Sequence, residues 1–81
     1  MSMSEKFPRV TAKQIIKVLE KLGFVFSRQS GSHKIYKNSE NKRVTVPFHL
    51  KQILHPKVLR SILNDADITV EDLRKMLNRA K

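Results

Sequence analysis

The chain reads as an α+β domain, in the order helix, three short strands and two further helices. Three observations carry that reading. Apolar residues recur at three- and four-residue spacing near both ends of the chain, the period of a helix with one buried face. Between them, short runs rich in β-branched and aromatic residues alternate with polar ones, the period of a strand. Those runs are separated by a few turn-forming residues, which suits an antiparallel meander, because parallel neighbours need crossovers of a dozen residues or more. Such a three-stranded sheet takes helices on one face and leaves the other open.

The first helix begins at a capping box, Thr11 with Gln14 three residues later, and Val10 and Ile15 are placed to form its hydrophobic staple. Ala12, Ile15, Ile16, Leu19 and Leu22 make the buried stripe. Gly23 follows where a left-handed C-terminal residue is wanted. Lys13, Lys17 and Lys21, four apart, form a neighbouring solvated row. Phe24-Val-Phe-Ser-Arg28 is the first strand, with Phe24 and Phe26 on one side, and His33-Lys-Ile-Tyr-Lys37 the second. Asn38 to Lys42 has turn composition, and Arg43 to Val46 is a third strand closed by Pro47. A connection over Phe48 to His55 leads to a helix opened by Pro56, where the missing N–H costs nothing; Val58, Leu59, Ile62, Leu63 and Ala66 are its stripe. Thr69 with Asp72 starts the last helix, whose inward residues are Leu73, Met76 and Leu77.

Eighty-one residues make one domain, with its core over about 11–68 and a C-terminal helix over about 69–79. The composition excludes several classes. There is no cysteine, hence no disulfide framework and no thiolate metal site. No apolar run is long enough to span a membrane, and the N-terminus lacks the apolar core of a signal peptide; a cytoplasmic location is expected. The net charge is +10, and it is concentrated. From Lys21 to Asn64 there are nine Lys and Arg and one acid, Glu40, with all three histidines in the same stretch. A basic centre with almost no counter-charge suits a polyanion, above all nucleic acid.

Neither a phosphate-binding loop nor a paired set of carboxylates is present, and the histidines lack metal-ligand spacing. An enzyme built from this inventory uses histidine, without metal or cofactor. In the second strand, period two sets Ser32, Lys34 and Tyr36 against His33, Ile35 and Lys37. Tyr36 is the expected core residue, which turns His33 to the open face, although Ile35 on the same side argues the other way. An exposed histidine exchanges protons near neutral pH, and surrounding cations hold a phosphodiester and stabilise the charge that develops as it reacts. RNA carries its own nucleophile in the 2′-hydroxyl, so a single histidine is expected to suffice as base or acid, and RNA suits this set better than DNA. His49 and His55 stand apart, and His55 before Pro56 is placed to cap a helix. Periodicity and charge alone leave open a non-catalytic RNA-binding module, or an interaction protein with an acidic partner.

The landmarks Leu19-Glu-Lys-Leu-Gly-Phe24, Gly31-Ser-His-Lys-Ile-Tyr36, Val44-Thr-Val-Pro47 with a histidine close behind, and Leu54-His-Pro-Lys-Val-Leu-Arg-Ser-Ile-Leu63 occur in an order and spacing that resemble the HicA (YcfA-like) toxins of HicBA toxin–antitoxin pairs. The similarity runs from about Thr11 to Ile68. It implies a double-stranded-RNA-binding-domain-like fold and an mRNA interferase, an endoribonuclease that cleaves mRNA. It also implies a catalytic role for His33 and a HicB-type antitoxin that covers the site. Gly31 then shapes the turn, and Arg28, Ser32, Lys34, Lys37 and Arg43 are the expected RNA contacts. Lys34 stands where many relatives carry a second histidine, and the tail from Thr69 to Lys81 extends past the commonest family end.

Overall fold

The computed structural model describes residues 7–49 and 52–79. The order of elements is α1 (Ala12–Lys21), β1 (Val25–Ser30), β2 (His33–Lys37), β3 (Arg43–Pro47), α2 (Pro56–Ala66) and α3 (Val70–Arg79). The strands form one antiparallel sheet in the order β1-β2-β3. The α+β expectation is met, and the arrangement is compatible with a double-stranded-RNA-binding-domain-like fold. Residues 50 and 51 of the connection expected over 48–55 lie outside the described residues.

Local chemistry sets the helix ends. The Thr11 hydroxyl accepts the Gln14 N–H at 3.2 Å and Gln14 Oε1 accepts the Thr11 N–H at 2.9 Å, the reciprocal capping box. At the other end the Gly23 N–H donates to the Glu20 carbonyl (3.1 Å) and the Phe24 N–H to the Leu19 carbonyl (3.0 Å). This is a Schellman closure, with Gly23 at φ 97°. At α2, His55 Nδ1 accepts the Lys57 N–H at 3.1 Å ahead of Pro56, so His55 is a helix cap. The Thr69–Asp72 box opens α3, with bonds of 3.0 and 3.1 Å.

The helices cover one face of the sheet, and they cover it unevenly. Tyr36, Val44 and Val46 join Ile15, Leu19, Leu59 and Ile62 in the main core cluster, with α1 and α2 packed on β3 and α3 on α1. Burying each such side chain stabilises the fold by about 1.5–3 kcal/mol. β1 lies outside this cover: all six of its residues are exposed, Val25 at 65% and Phe26 at 53%. It is held chiefly through its ladder with β2 and the edge-to-face contact of Phe26 on Tyr36, 5.8 Å between ring centres. The first strand thus runs one residue later at its start and two later at its end than the alternation predicts. The Schellman turn takes up Phe24, and pairing with β2 carries the strand on to Ser30.

Candidate functional site

The face of the sheet away from the helices is a lattice of nine positions. Its three rows across the strands are Val25-Lys37-Arg43, Arg28-Ile35-Thr45 and Ser30-His33-Pro47. His33 is on this face and exposed, while Tyr36 points into the core at 4% exposure, as its aromatic character required. Ile35 resolves differently from either alternative in the sequence. It shares the face of His33 yet is only 7% exposed, because it is the central position. Arg28 and Thr45 flank it across the sheet, His33 and Lys37 flank it along the strand, and long basic side chains cover apolar surface with their stems.

Arg28 reaches this face through an irregularity. The ladder pairs Phe26 with Tyr36 and Arg28 with Ile35, so Ser27 is an extra residue, a β-bulge. Plain alternation from Phe26 would put Arg28 on the core side; the bulge turns it over. It then sits diagonally from His33, at a Cβ separation of roughly 7–8 Å or less. The hairpin that presents His33 closes through Gly31 and Ser32, between the paired Ser30 and His33. Gly31 takes φ 58° and Ser32 has no positive φ, as a two-residue II′ turn requires. The Gln29 side-chain amide donates to the Gly31 carbonyl at 2.9 Å, and the Phe48 N–H donates to the Ser32 carbonyl at 2.7 Å, prolonging the β2–β3 ladder past Pro47.

The charges divide by face. Lys37 and Arg43 are direct cross-strand partners, a juxtaposition of like charges that costs stability unless an anion neutralises it. Neither they nor Arg28 form an ion pair among the described residues, whereas Lys42 is held by Asp67 at 3.0 Å and Glu40 at 3.9 Å. Lys34 points the other way, its ammonium 3.9 Å from the centre of the Phe48 ring. Of the four cations expected at phosphates, three therefore share the face of His33, and Lys34 does not. No Asp or Glu occupies any of the nine positions. Ser30 and Thr45, hydroxyls on the same face, carry no signal in the sequence, because their placement depends on the bulge and the register.

Beside this face lies a cavity of about 250 Å³ between the end of β3 and the start of α2. Pro47, His49, His55 and Val58 line it. It begins at the cross-strand partner of His33.

No helix among the described residues is long and apolar enough to cross a membrane. No curated protein matches the chain. The family model for the HicA toxin of bacterial toxin–antitoxin matches residues 12–68, from the start of α1 to just past α2. The chain belongs to the HicA toxin family.

Proposed function

We propose that this member of the HicA toxin family, the toxin of a toxin–antitoxin system, is an endoribonuclease that cleaves mRNA without a metal ion and uses His33 as a general acid or base. One observation carries the reading. An exposed histidine stands on a sheet face where Arg28, Lys37 and Arg43 have no counter-charge among the described residues. In this reading the cations bind the phosphates flanking the scissile bond. Arg28 is the nearest of them to His33, and the Lys37–Arg43 pair lies about 13 Å along the strand, at about 3.3 Å per residue. The imidazole moves a proton in the step that joins the ribose 2′-oxygen to phosphorus. A positioned group of this kind contributes about 10²–10⁴-fold in rate. Neighbouring positive charge stabilises the phosphorane-like transition state.

The antitoxin partner that the family implies is, in this reading, a HicB-type protein. It presents acidic groups to the basic face and keeps RNA from His33.

Comparison of His33→Ala with the parent chain tests the proposal. Loss of RNA cleavage and of growth inhibition, with RNA binding and the thermal transition retained, supports it. A well-folded His33→Ala that still cleaves at the parent rate refutes the role of His33. Binding without cleavage by the parent leaves a non-catalytic RNA-binding module instead. Activity abolished by a chelator contradicts the metal-free route.

A further inference from the structure

We propose that His49 is the second proton-transfer group of the site and works with His33 on one phosphodiester; this deepens the ribonuclease reading and rests on it. Breaking RNA by attack of its own 2′-hydroxyl moves two protons, one off the nucleophile and one onto the leaving 5′-oxygen. The face around His33 offers few groups for the second. None of the nine positions is Asp or Glu, and Lys and Arg stay charged at neutral pH. Tyr36 is buried on the opposite side. His55 commits Nδ1 to the N–H of Lys57 at the head of α2. His49 remains: it is exposed, and its side chain makes no hydrogen bond among the described residues.

Its position suits the task. His33 is paired with Pro47, and the Phe48 N–H bond to the Ser32 carbonyl at 2.7 Å continues the ladder one residue further. That single bond, in the β2–β3 register, makes His33–Pro47 a non-hydrogen-bonded pair, the closer kind, with Cα atoms about 4.5 Å apart. Pro47 and His49 both line the cavity beside β3, whereas Phe48 between them takes the Lys34 ammonium on the other side. His49 lies two residues beyond Pro47, just past the end of β3. Continuation of the ladder by those two residues would make it the diagonal neighbour of His33, and diagonal Cβ atoms in a ladder lie about 7–8 Å apart or less. Two imidazoles at that spacing can each reach a different oxygen of one phosphodiester at about 2.6–3.2 Å. The charged and titratable groups that share the face or the cavity with the pair are Arg28 from β1, Lys37 along β2, Arg43 on β3 and His55 at the start of α2.

In the reaction one imidazole, neutral, accepts the 2′-hydroxyl proton as the 2′-oxygen–phosphorus bond forms. The other, protonated, donates to the 5′-oxygen as its bond to phosphorus breaks. The products are a 2′,3′-cyclic phosphate and a 5′-hydroxyl, and the pair as a whole keeps its charge.

The test uses the full chain, its His49→Ala, His49→Gln, His33→Ala and His55→Asn variants, and two RNAs. One RNA is ordinary; the other carries a bridging sulfur at the scissile 5′ position, whose thiolate leaves without a proton. On ordinary RNA both His49 variants are expected to lose about 10²–10⁴-fold in kcat with little change in KM and to lose one limb of the pH–rate profile. His55→Asn, which keeps a capping acceptor, stays active. The sulfur substrate restores either His49→Ala or His33→Ala, and not both, and the variant restored lacks the acid. Folded His49 variants that cleave ordinary RNA at the parent rate overturn the proposal, as does a sulfur substrate that restores neither. Absence of cleavage by the parent chain instead overturns the ribonuclease reading beneath it.

Discussion

Replacing Arg28, Lys37 and Arg43 together by glutamine should remove most of the salt dependence of RNA binding, while Lys34→Gln should leave it nearly unchanged. The contrast comes from the sheet register. The first three side chains share the face of His33, and Lys34 lies over the Phe48 ring on the far side. On single-stranded nucleic acid each neutralised phosphate contributes about −0.7 to the slope of log K against log salt. Three contacts then give a slope of about −2.1, equivalent to about 18-fold weaker binding on going from about 50 to about 200 mM salt. Each single substitution should lower the slope by about 0.7, and the triple variant should bring it close to zero. The assay is fluorescence anisotropy of a labelled single-stranded RNA across a salt series, in the His33→Ala background so that the RNA stays intact. Thermal melts confirm that each variant is folded. A Lys34→Gln variant that loses as much slope as Arg28→Gln, or a triple variant with the parent slope, refutes the assignment of the basic face.

Three further predictions concern the scaffold. Gly31→Ala should destabilise the chain by about 1–2 kcal/mol through the positive φ alone, since an added Cβ meets nothing within 4 Å; urea unfolding measures it, and an unchanged midpoint would contradict the turn geometry. Leu59→Ala, at a side chain with 0% exposure in the core, should cost about 2–5 kcal/mol, a large share of the stability of so small a domain, read from the same transition. Hydrogen bonds from the backbone and side chain of Thr69 hold the Asp72 carboxyl below its ordinary pKa. With the folded value depressed, the contribution of Asp72 is present above the ordinary carboxylate range and is lost as pH falls through the lowered value. Asp72→Asn should flatten that acid limb in a series of melts, and an unaltered pH dependence would show that the box contributes nothing.

Much of the fold was legible because it is written in short-range chemistry. Thr11 with Gln14, Thr69 with Asp72, Pro56 after His55, and Gly23 at a helix end each act over a few residues, and each appears where the sequence puts it. Most of the apolar stripes of α1 and α2 is likewise buried, although Leu22 and Val58 are only partly covered and Val18, outside the expected stripe, is buried as well. The outward turn of His33 followed from Tyr36, since a buried aromatic on one side of a strand places its alternates on the other.

The arrangement of charge around His33 was not legible, and the reason is physical. The facing of a strand residue depends on register, and one unpaired residue reverses it for everything beyond. Ser27 has no composition cue for a bulge, yet its insertion puts Arg28 beside His33. Ile35 looked misplaced on an open face until the strands on both sides supplied its cover. Lys34 reads like the other cations until Phe48, fourteen residues later, claims it from the opposite side. Caps, periods and net charge are properties of neighbouring residues and can be read along the chain. The composition of one sheet face is a property of three strands in register, and it exists once the strands have paired.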